Sequence, residues 1–319
     1  MLIPVLLILA GLVILTVGAD FLVRGGASVA MRMGVTPLVI GLTVVAFGTG
    51  SPEFVVSIQA ALDGNSGIAL GNIVGSNISN VALILGCAAL VRPLKVQAAL
   101  LRKELPILVA ITGFLWLLVY DGTISRLEGG LLLTGGIGYT VFTYVQSRRK
   151  EKKKVEKEFA EAVGKPGKAV WIDVLLIVLG LGALVGGAQL LLSGGVTVAQ
   201  AFGMSDVAIG LTIIAVGTSL PELATSVVAA YRGEPDIAFG NAIGSNILNI
   251  LAVLGLTALI SPFSTEGIRS FDLGAMLGSV IILYVLMGRR FILDRVEGAL
   301  LVAGYVVYVN NVLASSAAQ

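Results

Sequence analysis

"GTGSPEF", residues 48–54, interrupts one long apolar run, and "GTSLPEL", residues 217–223, interrupts another. Each sets a Gly-Thr pair, a proline and an acid where a membrane-spanning helix would carry oily residues. Glu53 and Glu222 are the residues to explain. A carboxylate at the bilayer midplane costs several kcal/mol unless it is paired, protonated or bound to a cation. No Lys or Arg falls at comparable depth in any apolar run, so a mobile cation is the natural partner. The surrounding span, read as residues 35–62, would be roughly 42 Å long as a straight helix at about 1.5 Å per residue. That exceeds a ~30 Å hydrocarbon core. A break fits better than tilt alone. Pro52 lacks an N–H, and Gly48 and Gly50 are expected to supply backbone angles that other residues resist. Carbonyls freed at this depth need another partner, and a cation supplies one, helped by the negative end of the half-helix dipole.

The two segments belong to a repeat. Residues 37–86 align without gaps on residues 206–255, with about half of the positions identical. Upstream, Gly25-Gly26 matches Gly194-Gly195 and Gly34 matches Gly203. This is one ancestral unit duplicated. Within it, "GNIVGSNISN" (71–80) answers "GNAIGSNILN" (240–249). Gly71 and Gly75, like Gly240 and Gly244, are four apart, the small-xxx-small pattern of close helix packing. Asn72, Ser76 and Asn80 share a face at the same spacing, as do Asn241, Ser245 and Asn249. They are neutral oxygen donors that can join a carboxylate site for a hard cation, or hydrogen bonds that glue helices together.

The whole chain supports a membrane reading. Its 319 residues are 56% hydrophobic, with mean hydropathy +0.98. Ten apolar runs are long enough to span, centred near Leu12, Val45, Leu83, Leu108, Leu133, Leu179, Val216, Ala252, Ile281 and Val306. The first lacks a basic leader and is read as a helix rather than a signal peptide. Cys87 is the single cysteine and there is no histidine, which excludes a disulfide framework, cysteine clusters and histidine sites. Any metal must be held by oxygen, which favours hard cations. An HExxH metalloenzyme is excluded on the same ground, and the chain is not expected to be an enzyme.

Charge sets the orientation. With the N-terminus outside, the inside connections carry Arg24, Arg32, Arg92, Lys95, Arg102, Lys103, Arg232, Arg289, Arg290 and Arg295. They also carry the loop "SRRKEKKKVEKEFAEAVGKPGK", residues 147–168. The outside keeps only Arg126 and Arg269, so both termini are expected outside and loop 147–168 in the cytoplasm. Five spans per unit is an odd number, so the halves cross in opposite senses. Asp63 falls outside, whereas its counterpart Arg232 falls inside. The expected architecture is an all-α polytopic membrane protein of ten transmembrane helices in two inverted five-helix repeats, with helices 2 and 7 broken at the midplane. Residues 1–146 form the first half and 169–319 the second. Inverted repeats of this kind mark secondary transporters, whose substrates sit where broken helices meet.

"GTGSPE…GNIVGSNISN" and "GTSLPEL…GNAIGSNILN" resemble the two α repeats of the sodium/calcium exchanger family, within the cation/calcium antiporter superfamily. The resemblance covers both repeats, the ten-span layout and the central loop. It implies exchange of sodium for calcium by alternating access, with no cofactor beyond the transported ions. It points to Glu53 and Glu222 as the shared acids. Backbone carbonyls would come from Thr49, Thr218, Ala46 and Ala215, side-chain oxygens from Ser219, Ser76 and Ser245, and Asn80 and Asn249 would complete the centre. The first and sixth spans resemble the family's mobile gating bundle. Two departures stand out. Gly50 replaces the serine common at that position, leaving a sodium-site hydroxyl missing or supplied by a shifted Ser51. Asn249 stands where some relatives carry Asp, which argues against the potassium-dependent branch. Loop 147–168 is too short for the calcium-sensing domains of animal exchangers. The compact form resembles prokaryotic members, which implies a cell (inner) membrane. The expected partners are the two ions and the lipid bilayer, with no nucleic acid and no evident protein partner. A calcium/proton antiporter is the close alternative; the hydroxyls and carbonyls around the acids suit sodium better. A cation channel would need a pore between symmetric subunits, which an inverted repeat within one chain does not provide.

Overall fold

A computed structural model describes residues 2–33, 37–64, 66–150, 169–202, 215–265, 268–288 and 290–317. Most of loop 147–168 and the first half of the seventh span lie outside them. The first half of the chain holds α1 (Leu2–Met33), α2, α3 (Ser51–Leu62), α4 (Ser66–Val91), α5 (Ala98–Val119) and α6 (Arg126–Lys150). Here α2 is Pro37–Ile40, continued through a π turn at Gly41–Val45 into Ala46–Thr49. The second half holds α7 (Val170–Ala201), α8 (Ala215–Thr218), α9 (Leu220–Arg232), α10 (Pro235–Ile260), α11 (Ser270–Met287) and α12 (Arg295–Ala317). Every centre expected from hydropathy falls in one of these helices. By length and composition, 7 described helices can cross a membrane, or 8 if the bent α2–α3 pair counts as one span.

Two short pairings expose the inversion. Strand β1 (Leu94–Lys95) pairs antiparallel with β4 (Ile292–Leu293), and β2 (Thr123–Ile124) with β3 (Phe263–Ser264). β1 and β2 flank α5, so the two ribbons lie at opposite ends of the molecule. The repeat register turns β1 into β3 and β2 into β4, exchanging one ribbon for the other. Helix packing obeys the same pseudo-two-fold. Gly86 of α4 meets Gly298 and Val302 of α12, and Gly255 of α10 meets Gly129 and Leu133 of α6.

Helices α1 and α7, 32 residues each, are about 48 Å long, more than a ~30 Å hydrocarbon core. They run antiparallel against each other through glycines seven apart: Gly11, Gly18 and Gly25 on one, Gly180, Gly187 and Gly194 on the other. Backbones touch there. A Cβ on Gly18 would stand 2.9 Å from the Gly180 carbonyl oxygen and the Leu184 nitrogen. With no hydrophobic drive between helices in lipid, this close van der Waals fit holds the pair. Gly18→Val should cost about 1–3 kcal/mol through overpacking, read as a lower melting temperature in detergent. An unchanged melting temperature would mean that the pair is held elsewhere.

The break in the second span is real but milder than a full unwinding. Segments Gly41–Thr49 and Ser51–Leu62 meet at 53°. Pro52 cannot donate to the turn before it, yet the Gly50 N–H still reaches the Ala46 carbonyl (3.0 Å) and the Phe54 N–H the Gly50 carbonyl (3.2 Å). The expectation that the glycines supply unusual angles is corrected. Gly50 sits at φ −75°, ψ 4°, and Ser219, its counterpart, at φ −89°, ψ 7°. Any residue adopts this conformation. Gly48 instead admits a close neighbour, since a Cβ there would run into the Leu181 side chain. In the seventh span the helix is interrupted at Ser219, between α8 and α9, with Pro221 in the first turn that follows.

Candidate ion-binding site

α4 and α10 are the central helices, buried along most of their length, while α1, α7 and α12 expose most of theirs. The breaks in the second and seventh spans abut the central pair, so four segments converge on Glu53 and Glu222, each 1% exposed. Both acids lie in the first turn after a break, where the positive end of the helix dipole favours negative charge.

Side chains cross between the halves throughout this region. The Ser219 hydroxyl donates to Glu53 Oε1 (3.2 Å). Asn249 Nδ2 donates to Ser76 Oγ (3.1 Å) and Asn77 Oδ1 (3.2 Å). Asn80 Nδ2 donates to Asn246 Oδ1 (2.9 Å), and Asn246 Nδ2 to the Asn77 carbonyl (3.1 Å). The Thr49 hydroxyl donates to the Val45 carbonyl (3.0 Å) and Asn241 Oδ1 (3.1 Å). π turns begin at Asn80 and at Asn249, the same register in both repeats. Such turns shift the hydrogen-bond ladder and recur at functional sites.

Five buried side-chain oxygens in this cluster have no hydrogen-bond partner: Glu53 Oε2, both oxygens of Glu222, Asn80 Oδ1 and Ser245 Oγ. Buried polar atoms are normally satisfied, and a carboxylate more than any other needs compensation. A hard cation accepts oxygen donors of this mixed kind. No group of three or more His, Cys, Asp or Glu occurs among the described residues. The charge therefore comes from two acids and the remaining donors are neutral, which suits an ion that must also leave.

The other expected residues are placed as follows. The Ala46 carbonyl accepts the Gly50 N–H and lies beside the break. Ala215 and Thr218 bound α8 on the equivalent turn. Ser76 also donates to the Asn72 carbonyl (2.7 Å). Ser51 is not brought to the acids: its hydroxyl donates back to the Phe47 carbonyl (3.2 Å) on its own helix. Asn72 and Asn241 act as clamps. Asn72 Nδ2 holds the Glu53 carbonyl (3.4 Å) and Ser57 Oγ (3.0 Å). Asn241 Nδ2 holds the Glu222 carbonyl (3.2 Å) and Ser226 Oγ (2.9 Å). Sequence reasoning missed Asn77, Asn246, Ser57 and Ser226. All four are identical between the repeats, and that signal would have found them.

The family described as Sodium/calcium exchanger protein matches residues 3–146 and 172–314. The putative antiporter CaxA of Alkalimonas amylolytica is 39% identical over 312 residues, covering 97% of this chain and 98% of that one. The sodium/calcium exchanger MaX1 of Methanosarcina acetivorans is 35% identical over 349 residues, covering 95% and 97%. The solved sodium/calcium exchanger of Methanococcus jannaschii superposes with a TM-score of 0.83 at 31% identity, over 97% of this chain and 98% of that one. The likeness runs through both halves and includes the ten-span inverted fold. This multi-pass membrane protein therefore belongs to the sodium/calcium exchanger family.

Proposed function

We propose that Glu53 and Glu222, with Asn80, Ser245, Ser76, Ser219, Asn249 and carbonyls at the two breaks, form the ion site through which this secondary active antiporter exchanges sodium for calcium. The observation that carries the reading is the set of five unpartnered buried oxygens, contributed by both repeats. Two full charges match one divalent ion. Hydroxyls and carbonyls replace the water that a smaller charge cannot shed unaided. On this reading the membrane-embedded acids are the cargo ligands, and the similar MaX1 is a sodium/calcium exchanger.

Alternating access is supported by an asymmetry between the halves. Asp20 pairs with Arg24 (2.9 Å) and with Arg232, tying α1 to α9 at one end. The repeat-related positions are Gln189, Ser193 and Asp63, which cannot form the same cluster. α1 packs closely along α9, whereas α7 makes only sparse contact with α3 among the described residues. Among the described residues, the end bearing Arg232 is the tighter one. In the proposed topology, with both termini outside, that end faces the cytoplasm, as does the charged segment 147–168.

The test uses purified protein in liposomes, with labelled calcium outside and a sodium, potassium or proton gradient imposed in turn. Uptake should follow the sodium gradient alone. Uptake driven by the proton gradient and indifferent to sodium would replace this reading with calcium/proton exchange. Deleting residues 151–166 should leave sodium-driven uptake unchanged, because the repeats do not use them. A cysteine placed at Ser147 should resist impermeant reagent applied outside. Labelling from outside would invert the topology.

A further inference from the structure

We infer that Asn246 and Asn77 are positioning residues: they hold the side-chain amides of Asn80 and Asn249 in the one orientation that turns oxygen, and not nitrogen, toward the transported ion. The inference rests on the reading above that Asn80 and Asn249 line the ion site. A half turn of an asparagine amide exchanges its oxygen for its NH2 group at little steric cost. A cation binds the first and is repelled by the second. Some fixed group has to decide which of them faces the site.

On one side that group is a main-chain carbonyl. The Asn77 carbonyl can only accept, and it takes Asn246 Nδ2 (3.1 Å). Asn246 therefore turns Oδ1 to its other edge, where it takes Asn80 Nδ2 (2.9 Å). With its nitrogen committed, Asn80 leaves Oδ1 buried and without a hydrogen-bond partner. Turning either amide over alone would set oxygen against oxygen and lose a buried bond. The polarity of a rigid backbone group thus passes through two side chains. On the other side, the Ser76 hydroxyl donates to the Asn72 carbonyl (2.7 Å), so its oxygen offers Asn249 Nδ2 only lone pairs (3.1 Å). Asn77 Oδ1 accepts from the same nitrogen (3.2 Å). Asn77 in turn points Nδ2 at the Met276 sulfur of α11 (3.7 Å), which can only accept. All four amides are buried, so bulk water does not take over these bonds. Hydrogen bonding that merely glued α4 to α10 would be indifferent to direction. It would not account for one buried oxygen left over at the end of a paired chain.

The experiment measures equilibrium binding of labelled calcium to purified protein in detergent, with the melting temperature followed in parallel. Asn246→Leu removes the relay at similar volume and frees the Asn80 amide to turn. Calcium affinity should then fall roughly tenfold, the worth of one hydrogen bond to a charged partner. In an Asn80→Asp background the same substitution should cause no loss, because a carboxylate presents oxygen at either edge. Such a double-mutant cycle separates orientation from packing. Met276→Leu conserves volume and serves where Asn246→Leu fails to fold. It should lower calcium affinity by about threefold, less than the carbonyl-anchored side because a thioether is a weak acceptor. The melting temperature should hold, and the loss should vanish in an Asn249→Asp background. Equal losses with and without the aspartate changes, or calcium affinity indifferent to both leucine variants, would overturn the inference. Failure of the underlying reading looks different: calcium affinity would then be unchanged by Asn80→Ala and Asn249→Ala themselves.

Discussion

Glu53→Gln and Glu222→Gln should each abolish sodium-driven calcium uptake into liposomes, with the protein folded and sodium binding weakened far less than calcium binding. The expectation follows from charge. A unit charge pair about 4 Å apart is worth roughly 4 kcal/mol at an effective dielectric of 20. Neutralising one carboxylate thus penalises a divalent ion about twice as much as a monovalent one, a differential of roughly 4 kcal/mol or nearly a thousandfold. Neutral ligands do not compensate, because their dipoles offset less of the ion's lost hydration. Ser76→Ala and Asn249→Ala should therefore lower uptake far less than either glutamine variant. Acid should mimic the glutamine changes, as protons compete with cations for the same carboxylates. Sodium-driven uptake within a few-fold of normal in either glutamine variant would break the link between these acids and calcium.

Gly244→Val should be nearly as damaging, although it alters no ligand. Position 244 lies where α10 crosses the π turn of α2 backbone to backbone. A Cβ there would stand 2.6 Å from the Leu42 Cα and 2.8 Å from its carbonyl oxygen. Neither is a flexible side-chain end that could move aside. Gly41 approaches the Ile237 carbonyl oxygen and the Gly240 Cα at the same crossing. Overpacking of this kind costs about 1–3 kcal/mol, and it is relieved only by pushing α10 away from α2. That motion carries Ser245 and the Asn241 clamp away from the acids. Calcium affinity should fall together with thermal stability, and Gly244→Ala should give a smaller version of both. Binding and melting unchanged by valine would show that this crossing does not position the site.

Much of this architecture was legible because its causes are local. Pro52 and Pro221 break a ladder by their own chemistry, and an acid inside an apolar run requires a partner wherever it lies. The duplication supplied the inversion, which the two ribbons and the glycine crossings then express in space. Asn77 and Asn246 escaped because a single helix face was sought at spacing four. α4 and α10 are buried on nearly all sides, so functional groups leave them in more than one direction. The glycines seven apart on α1 and α7 stood in the sequence, but their meaning depends on which helix lies opposite. The backbone freedom expected of Gly50 is not used, because its angles are ones that any residue adopts. Strands of two residues carry too little pattern to announce themselves.

The most direct test is equilibrium binding of labelled calcium to the purified chain and to its Glu53→Gln and Glu222→Gln variants, each titrated with sodium. The wild-type chain should bind calcium saturably and release it as sodium rises. Both variants should lose calcium binding by roughly a hundredfold or more while still melting cooperatively. Calcium binding of normal affinity in either variant would contradict the assignment of Glu53 and Glu222 as the shared ligands of the transported ion.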